Sequence, residues 1–346
     1  MSSRIITWLR AALLACLLGL AGAPAWAAGS AEAAVAATAA DGGLIQPGNN
    51  AEAFRSARRG EHQSITFAAP ADRMLIQSEG QTWRMWRNGP ITQWGGWLLA
   101  AVFVALVLFR LIRGRIELEG APTGRLIERF NRVERTAHWT LAVTFVVLAL
   151  SGLTLLFGKH VIIPLIGYDA FSWFARLAKN LHNLTGPLFF ASTVVFVLMF
   201  ARDNVWQAID ALWIRKAGGL LTSEHVPSWR FNFGEKTWFW IGVVILGLLV
   251  GATGLILDFP GNGQTRQDMQ LAHLIHAGGA ILFIALSLGH IYIGTVGMEG
   301  AMDGMKSGYV DETWAREHHE YWYRQARDAT PARPAAAPRG AASATH

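Results

Sequence analysis

Long apolar stretches separated by short polar links divide most of the chain. Five stretches have no Asp, Glu, Lys or Arg in their middles: residues 91–111, 138–157, 181–200, 237–257 and 271–296. About 20 apolar residues are needed for a helix to cross the hydrocarbon core of a bilayer. The pattern therefore predicts five transmembrane helices, and the short links between them predict an antiparallel bundle.

The region before the first apolar stretch has the features of an exported segment. Residues 1–27 resemble a secretory signal peptide, with a basic start, an apolar run and Ala-Trp-Ala at 25–27. An uncleaved first anchor is the alternative interpretation. Residues 28–90 are expected to be periplasmic, beginning with a low-complexity linker and including a solvated His62. The aromatic and basic residues at 77–90 fit partner contact and interfacial anchoring equally well.

The composition agrees with a membrane protein. The chain of 346 residues is 52% hydrophobic and 16% charged, whereas about 25% of residues are charged in soluble domains. Its 15 tryptophans are typical of interfacial belts, and the net charge of +6 lies in links beside apolar stretches rather than in a nucleic-acid patch. The positive-inside rule puts the links after the first and third stretches, and the C-terminus, in the cytoplasm. A multi-pass protein of a bacterial inner membrane is therefore expected.

Cysteine usage restricts the possible cofactors. Cys16 is the only cysteine, and it lies within the predicted signal peptide. A mature chain without cysteine has no disulfides, no thiolate-held iron–sulfur cluster and no C-x-x-C-H attachment site for c-type haem. Any haem would have to be held by other side chains, such as histidine.

The last apolar stretch carries three histidines, His273, His276 and His290. Ionisable side chains at membrane depth are candidates for function. His276 and His290 are 14 residues apart, so on a helix they face within about 40° of one another and lie about 21 Å apart along the axis. Such a helix could bind two flat metal macrocycles, and nearby glycines would let these approach the backbone. The alternative is that the histidines are core residues bonded to neighbouring helices.

Histidines on two other stretches lie at matching depths. His138 begins the second stretch on the inner side, and His182 begins the third on the outer side. The simplest pairing is His182 with His276 and His138 with His290, each pair supplying two axial nitrogens to one b-type haem. Such sites have no open coordination position and suit electron transfer. The predicted fold is an all-α integral membrane bundle of four di-haem cytochrome b helices plus one extra N-terminal span. His273 could replace His276 as a ligand.

Other polar residues receive weaker interpretations. His160 is expected to be solvated in an outer loop, and His225, His318 and His319 are expected to be structural or surface residues. Asn232 and the backbone at Gly234 could meet a quinone carbonyl near the inner haem. From the residues alone a helix cap is the better interpretation of Asn232, because Asn is favoured at that position.

Several motifs give the sequence a specific resemblance. They are RVERTAHW, LHNLTGP, FNFGEKTWFW, LIHAGGAILFIALSLGHIY and the tail GAMDGMKSGYVDETWAREHHEYWY. Through them, residues 128–325 resemble the gamma subunit, the cytochrome b subunit, of membrane-bound respiratory formate dehydrogenase. Residues 1–27, 28–90 and 91–111 look like the additions of its long form, and 326–346 are expected to be a disordered cytoplasmic tail. Glu235 stands where one form of the family has Gln.

The resemblance implies a set of sites and partners. His138, His182, His276 and His290 would ligate two haems b, and Asn232 and Gly234 would contribute to a quinone site with the inner haem histidine. Formate would be oxidised in a molybdenum or tungsten alpha subunit, and an iron–sulfur beta subunit would pass electrons on. This chain would then reduce menaquinone or ubiquinone on the cytoplasmic side of a formate:quinone oxidoreductase, without a formate-oxidising site of its own.

Three alternatives stay open. The same architecture could serve a hydrogenase or related oxidoreductase as its cytochrome b subunit. The histidines could instead relay protons or bind a metal in a transporter, although the spans lack the carboxylates that such relays often use. The chain could also be a haem-free membrane anchor.

Overall fold

A computed structural model describes residues 78–219, 225–329 and 333–334. The predicted signal peptide (1–27), His62 and the rest of the chain up to residue 77 lie outside the described residues. Most of the predicted tail (326–346) also lies outside them. Everything below concerns the described part.

The described residues form helices and three short strands. In order they are α1 (Ser78–Trp86), α2 (Gly95–Arg113), β1 (Arg125–Glu128), α3 (Arg132–Val161), α4 (Ile163–Phe200), α5 (Ala208–Arg215), α6 (Phe233–Thr237), α7 (Leu248–Asp258), α8 (Arg266–Tyr292), α9 (Asp303–Lys306), β2 (Tyr309–Asp311), α10 (Glu312–His318), α11 (Glu320–Ala329) and β3 (Arg333–Pro334). A 3₁₀ turn covers Ala217–Gly219, and π-helical stretches cover Arg87–Trp94, Trp238–Gly247 and Ile293–Gly297.

Five helical runs within the described residues are long and apolar enough to cross a membrane. They are called the first to fifth spans here: Gly80–Arg113, Arg132–Val161, Ile163–Phe200, Phe233–Asp258 and Arg266–Gly297. The predicted all-α, multi-pass membrane architecture is confirmed.

The first span begins earlier than the apolar pattern predicted. The stretch 78–90, expected to lie in the periplasmic segment, is helical and continuous with the span. Pro90 lies inside the π-helical stretch Arg87–Trp94. Proline lacks an N–H and clashes with the preceding turn of an α-helix, so the wider π turns accommodate it. The Thr92 hydroxyl also donates to the Arg87 carbonyl at 2.6 Å.

The third span also begins before its predicted start at residue 181. Helix α4 runs from Ile163, with one break at Gly167, whose φ of 78° and ψ of 173° are not helical. Glycine adopts that positive φ without the steric cost that a Cβ would bring. His160, expected in a loop, lies exposed in the last turn of α3.

An aromatic layer fills the middle of the bundle. Phe189, Leu246 and Phe283 are buried there, and Phe145 packs on Phe283 with ring centroids 4.8 Å apart. Phe283 is seven residues from both His276 and His290 along α8. The layer therefore lies midway between the two predicted haem levels.

A small domain covers one end of the spans. Strand β1 pairs antiparallel with both β2 and β3, and the adjoining core contains Ile127, Val310, Trp314, Trp322 and Tyr323. Helix α11 continues to Ala329, beyond the predicted domain end at 325. The first residues of the predicted tail, up to Ala329, are therefore helical and not disordered.

Candidate functional site

His182 on α4 and His276 on α8 face each other. Their ring centroids are 6.0 Å apart, with planes at 80°. Nδ1 of His276 donates to the Val250 carbonyl at 2.9 Å. Nδ1 of His182 lies 2.8 Å from the Ser151 hydroxyl, which itself donates to the Val147 carbonyl, so the imidazole is the donor. With both Nδ1 atoms protonated, each Nε2 keeps the lone pair that a metal requires.

His138 on α3 and His290 on α8 form a second facing pair. Their ring centroids are 6.3 Å apart. Trp238 stacks on His290, with centroids 4.8 Å apart and planes within 10°. Nδ1 of His138 is buried and has no hydrogen-bond partner among the described residues. The sequence-predicted pairing by depth is therefore the pairing that the fold brings together.

Glycines shape the space around both pairs. A Cβ on Gly152 would lie 3.3 Å from Cε1 of His182, and one on Gly254 would lie 3.1 Å from Cε1 of His276. Around Gly186, Gly278 and Gly289, by contrast, no described atom beyond the chain neighbours and the local helix backbone lies within 4 Å of such a Cβ. Two glycines thus let the imidazoles fit closely, and the other three border open space.

The pairs fit a haem held by two histidines. Imidazole nitrogens bind metals at about 2 Å, so imidazoles on opposite sides of one ion have ring centres about 6 Å apart. Both measured separations match. No group of three or more His, Cys, Asp or Glu in the described part could hold a bare metal ion. A macrocycle supplies four nitrogens itself, so two protein ligands suffice.

His273, the alternative ligand, has a different neighbour. Its Nδ1 accepts a hydrogen bond from Nε1 of Trp83 at 3.3 Å, and the two rings meet edge to face. His276, one turn further along, is the residue that faces His182. The geometry favours His276 over His273 as the partner of His182.

Comparison with known proteins identifies the fold family. A family model described as "Prokaryotic cytochrome b561" matches residues 129–308, more than half of the chain. The chain belongs to the prokaryotic cytochrome b561 family. Membership implies that the chain binds haem b, in agreement with the donor set above.

Individual relatives of this cytochrome b561 chain are formate dehydrogenase subunits. It is 29% identical over 213 residues to the formate dehydrogenase cytochrome b556(fdo) subunit of Escherichia coli strain K12, covering 59% of this chain and 95% of the relative. The nitrate-inducible cytochrome b556(Fdn) subunit of that strain is also 29% identical over 213 residues, with 58% and 92% covered. The cytochrome b556 subunit of Haemophilus influenzae formate dehydrogenase is 26% identical over 211 residues, with 58% and 83% covered. The predicted resemblance is confirmed.

Asn232, the predicted quinone residue of this cytochrome, caps the fourth span. Its side-chain oxygen accepts from the Glu235 N–H at 3.0 Å, and the Glu235 carboxylate accepts from the Asn232 N–H at 2.9 Å. A Cβ on Gly234 would lie 3.0 Å from the Trp213 ring. The cap that the residues alone favoured is therefore present. The side-chain amide nitrogen of Asn232 donates a hydrogen bond to none of the described residues.

An arginine network beside this cap was missed by sequence reasoning. Arg129 pairs with Glu235 at 3.0 Å, and Arg230 pairs with Asp203 at 2.6 Å and Glu134 at 2.7 Å. The Arg129 guanidinium is 3% exposed, and burial lowers the pKa of Arg129 to about 10. Sequence reasoning used the arginines of this region only to orient the chain. The network joins β1 to the start of the fourth span.

A second buried ion pair supports the same end of the fourth span. Lys236 and Asp210 lie 2.8 Å apart, with side chains 4% and 1% exposed. Lys236 also donates to the Gln207 side chain at 3.0 Å. The pair holds α5, which carries Trp213, against the start of the span.

The histidines of the tail are structural. His319 is buried, and its Nδ1 lies 2.8 Å from the Trp229 carbonyl. Burial holds the pKa of His319 well below its usual value. Burial also lowers the pKa of His318 to about 3, with further contributions from His225 and Arg129. These contacts fit the expectation for His225, His318 and His319.

Proposed function

We propose that the chain is the membrane electron-transfer subunit of a formate dehydrogenase. In this proposal His182 and His276 hold one haem b, and His138 and His290 hold a second. The observation that carries it is the presence of two facing histidine pairs on one bundle, each with the separation of a bis-histidine haem site. When bound, the haems supply one-electron transfer between the two ends of the bundle.

The surrounding side chains orient the ligands and exclude water. The hydrogen bonds from Nδ1 of His182 and His276 fix both rings, as outer-sphere partners do for metal-bound histidines. The aromatic layer around Phe283 separates the two sites with apolar side chains. The hydroxyls of Thr193 and Ser287, which lie beside this layer, each donate to a carbonyl of their own helix.

The quinone would bind near Asn232. The capping role uses the Asn232 oxygen and leaves the amide nitrogen to donate to a quinone carbonyl. Trp238, six residues along, stacks on His290, so Asn232 lies about 9 Å along the helix from the level of that histidine. Menaquinone and ubiquinone both offer the required carbonyl.

The partners and orientation follow from the same proposal. The relatives are cytochrome subunits of formate dehydrogenases, so an iron–sulfur subunit and a molybdenum or tungsten subunit are the expected partners. The arginine-rich end that bears His138 and His290 would face the cytoplasm of an inner membrane. The His182–His276 end would face the periplasm and receive electrons.

A haem count tests the central proposal. The purified chain should give a low-spin reduced-minus-oxidised spectrum and a pyridine haemochrome value of two haems b per chain. One haem would contradict the di-haem assignment, and none would favour the transporter or anchor alternatives. Affinity purification of the tagged chain should recover a molybdenum- or tungsten-containing dehydrogenase, whereas recovery of a nickel hydrogenase would support the rival assignment.

Paired substitutions test the quinone site. Asn232→Asp keeps a capping oxygen but removes the amide donor, whereas Asn232→Ala removes both. If the amide binds quinone, both variants of the complex should lose quinone reduction while dye-linked formate oxidation persists. Normal quinone reduction in Asn232→Asp would limit Asn232 to its capping role.

A further inference from the structure

The first span packs along the helix that carries His276 and His290. A Cβ on Gly95 would lie 2.3 Å from Cδ1 of Ile281, so a larger residue there would displace the Ile281 side chain. Further along, Phe109 meets Tyr292 edge to face with centroids 6.1 Å apart. The first span is therefore an integral part of the bundle, although it lies outside the family match, which begins at residue 129.

The same span also reaches the second span. A Cβ on Gly96 would lie 3.2 Å from the ring of Phe157, near the end of α3. Neighbouring glycines thus bring the first span close to α3 and α8 together, at the end of the bundle where His182 and His276 lie.

A polar contact between side chains crosses this interface. Nε1 of Trp83 lies 3.3 Å from Nδ1 of His273. An indole nitrogen can only donate, so Nδ1 of His273 must accept, and in the neutral imidazole Nε2 then carries the hydrogen. No described residue accepts from that Nε2. Trp83 therefore fixes the tautomer of His273 and leaves its Nε2–H available near the His182–His276 pair.

We propose that His273 is a further haem-binding residue, whose Nε2–H donates to a carboxylate of the haem held by His182 and His276, and that Trp83 is its positioning residue. The inference rests on the proposed function. His273 lies three residues before His276, hence about 4.5 Å nearer the end of the helix. A charged carboxylate is costly in hydrocarbon and favours the nearer membrane surface, which is the direction in which His273 lies.

The expected consequence is electrostatic. A fixed N–H dipole beside the carboxylate offsets part of its negative charge, which favours the reduced, more electron-rich haem. Loss of the donor should lower the reduction potential of that haem and leave the His138–His290 haem unchanged. The first span would then have a specific role, which is to complete the site and set its potential.

Redox titration of the full chain with both haems bound tests this inference. Trp83→Phe keeps an aromatic ring but removes the donor that fixes the tautomer. We expect the equilibrium constant for reduction of the His182–His276 haem to fall about tenfold. For a one-electron couple this lowers the reduction potential by about 59 mV. Trp86→Phe is the matched control, because Trp86 is on the same helix and is 54% exposed. It should shift neither potential.

A second variant distinguishes loss of this hydrogen bond from general disruption of the bundle. His273→Leu should lower the same haem potential at least as far, and adding Trp83→Phe should have no further effect, because both residues act through one contact. Two haems with unchanged potentials in Trp83→Phe and His273→Leu would overturn this inference and leave the proposed function intact. Equal shifts of both haems would also overturn it. A wild-type chain without haem would instead overturn the proposed function.

Discussion

Trp238 and His290 stack in parallel, with ring centroids 4.8 Å apart and planes within 10° of each other. The contact joins the fourth span to the fifth at the level of the His138–His290 pair. Trp238 is itself packed closely, because a Cβ on Gly242 would lie 2.5 Å from its ring. The indole thereby restricts the rotation of one imidazole of the pair.

Replacing Trp238 should affect one haem selectively. Trp238→Leu removes the stacked surface while keeping an apolar side chain, so His290 gains rotational freedom. We expect broadened low-spin EPR features and weaker retention of the His138–His290 haem, with the other haem unaltered. Haem counts after detergent washing and EPR of the oxidised chain would measure both effects. Equal loss of both haems would indicate a general packing defect instead.

His273 and His276 are the two candidate ligands for the His182 side of the bundle, and substitutions can distinguish them. His276→Ala should halve the haem content, because His276 is the residue that faces His182. His273→Ala should keep both haems, since His273 contacts Trp83 instead. The measurement is a pyridine haemochrome count per chain. Loss of one haem in His273→Ala, with both retained in His276→Ala, would reverse the assignment.

The glycine against His276 offers a steric test. A Cβ at Gly254 would lie 3.1 Å from Cε1 and 3.4 Å from Nδ1 of His276. Gly254→Val should displace the imidazole and disturb its hydrogen bond to Val250, and the haem content should fall to about half. Gly261→Ala is the control, because no described atom other than those of its two chain neighbours lies within 4 Å of a Cβ there. A full haem complement in Gly254→Val would show that the ring can move without losing its ligand position.

The histidine pairing could be predicted because it depends on helix periodicity and on depth. His276 and His290 are 14 residues apart on one helix, and His138 and His182 begin spans that run in opposite directions. Regular helices convert such spacing into position with little error. The pattern of apolar residues likewise predicted the number of spans, although it placed all five starts too late, most of all those of the first and third spans.

Contacts between distant residues could not be predicted in this way. Trp83 and His273 are 190 positions apart in the sequence, and Trp83 lies in the stretch 77–90, which the apolar pattern did not assign to a span. The Arg129–Glu235 pair likewise depends on how β1 meets the fourth span. Periodicity describes one helix at a time, whereas these contacts depend on which faces of two elements pack together.

The packing of α10 and α11, called the tail here, against the rest of the protein should weaken in acid. Burial holds the pKa of His319 well below the 6.5 of an exposed histidine, so the unfolded tail binds a proton that the packed tail does not. Docking is therefore strongest above pH 6.5 and loses about 1.4 kcal/mol per pH unit below it for such a histidine. Arg129 also opposes a charge on His319, whereas the hydrogen bond to the Trp229 carbonyl offsets part of that penalty.

Hydrogen exchange of α10 and α11 at pH 8 and pH 5, corrected for intrinsic rates, would measure this weakening. Protection should fall at pH 5 in the wild-type chain. His319→Asn keeps a donor for the Trp229 carbonyl but cannot take up a proton, so it should flatten the pH dependence. His318, whose pKa is lowered to about 3, should contribute in the same direction, leaving a smaller residual slope in that variant. Equal protection at both pH values in the wild-type chain would contradict the buried, neutral state of His319.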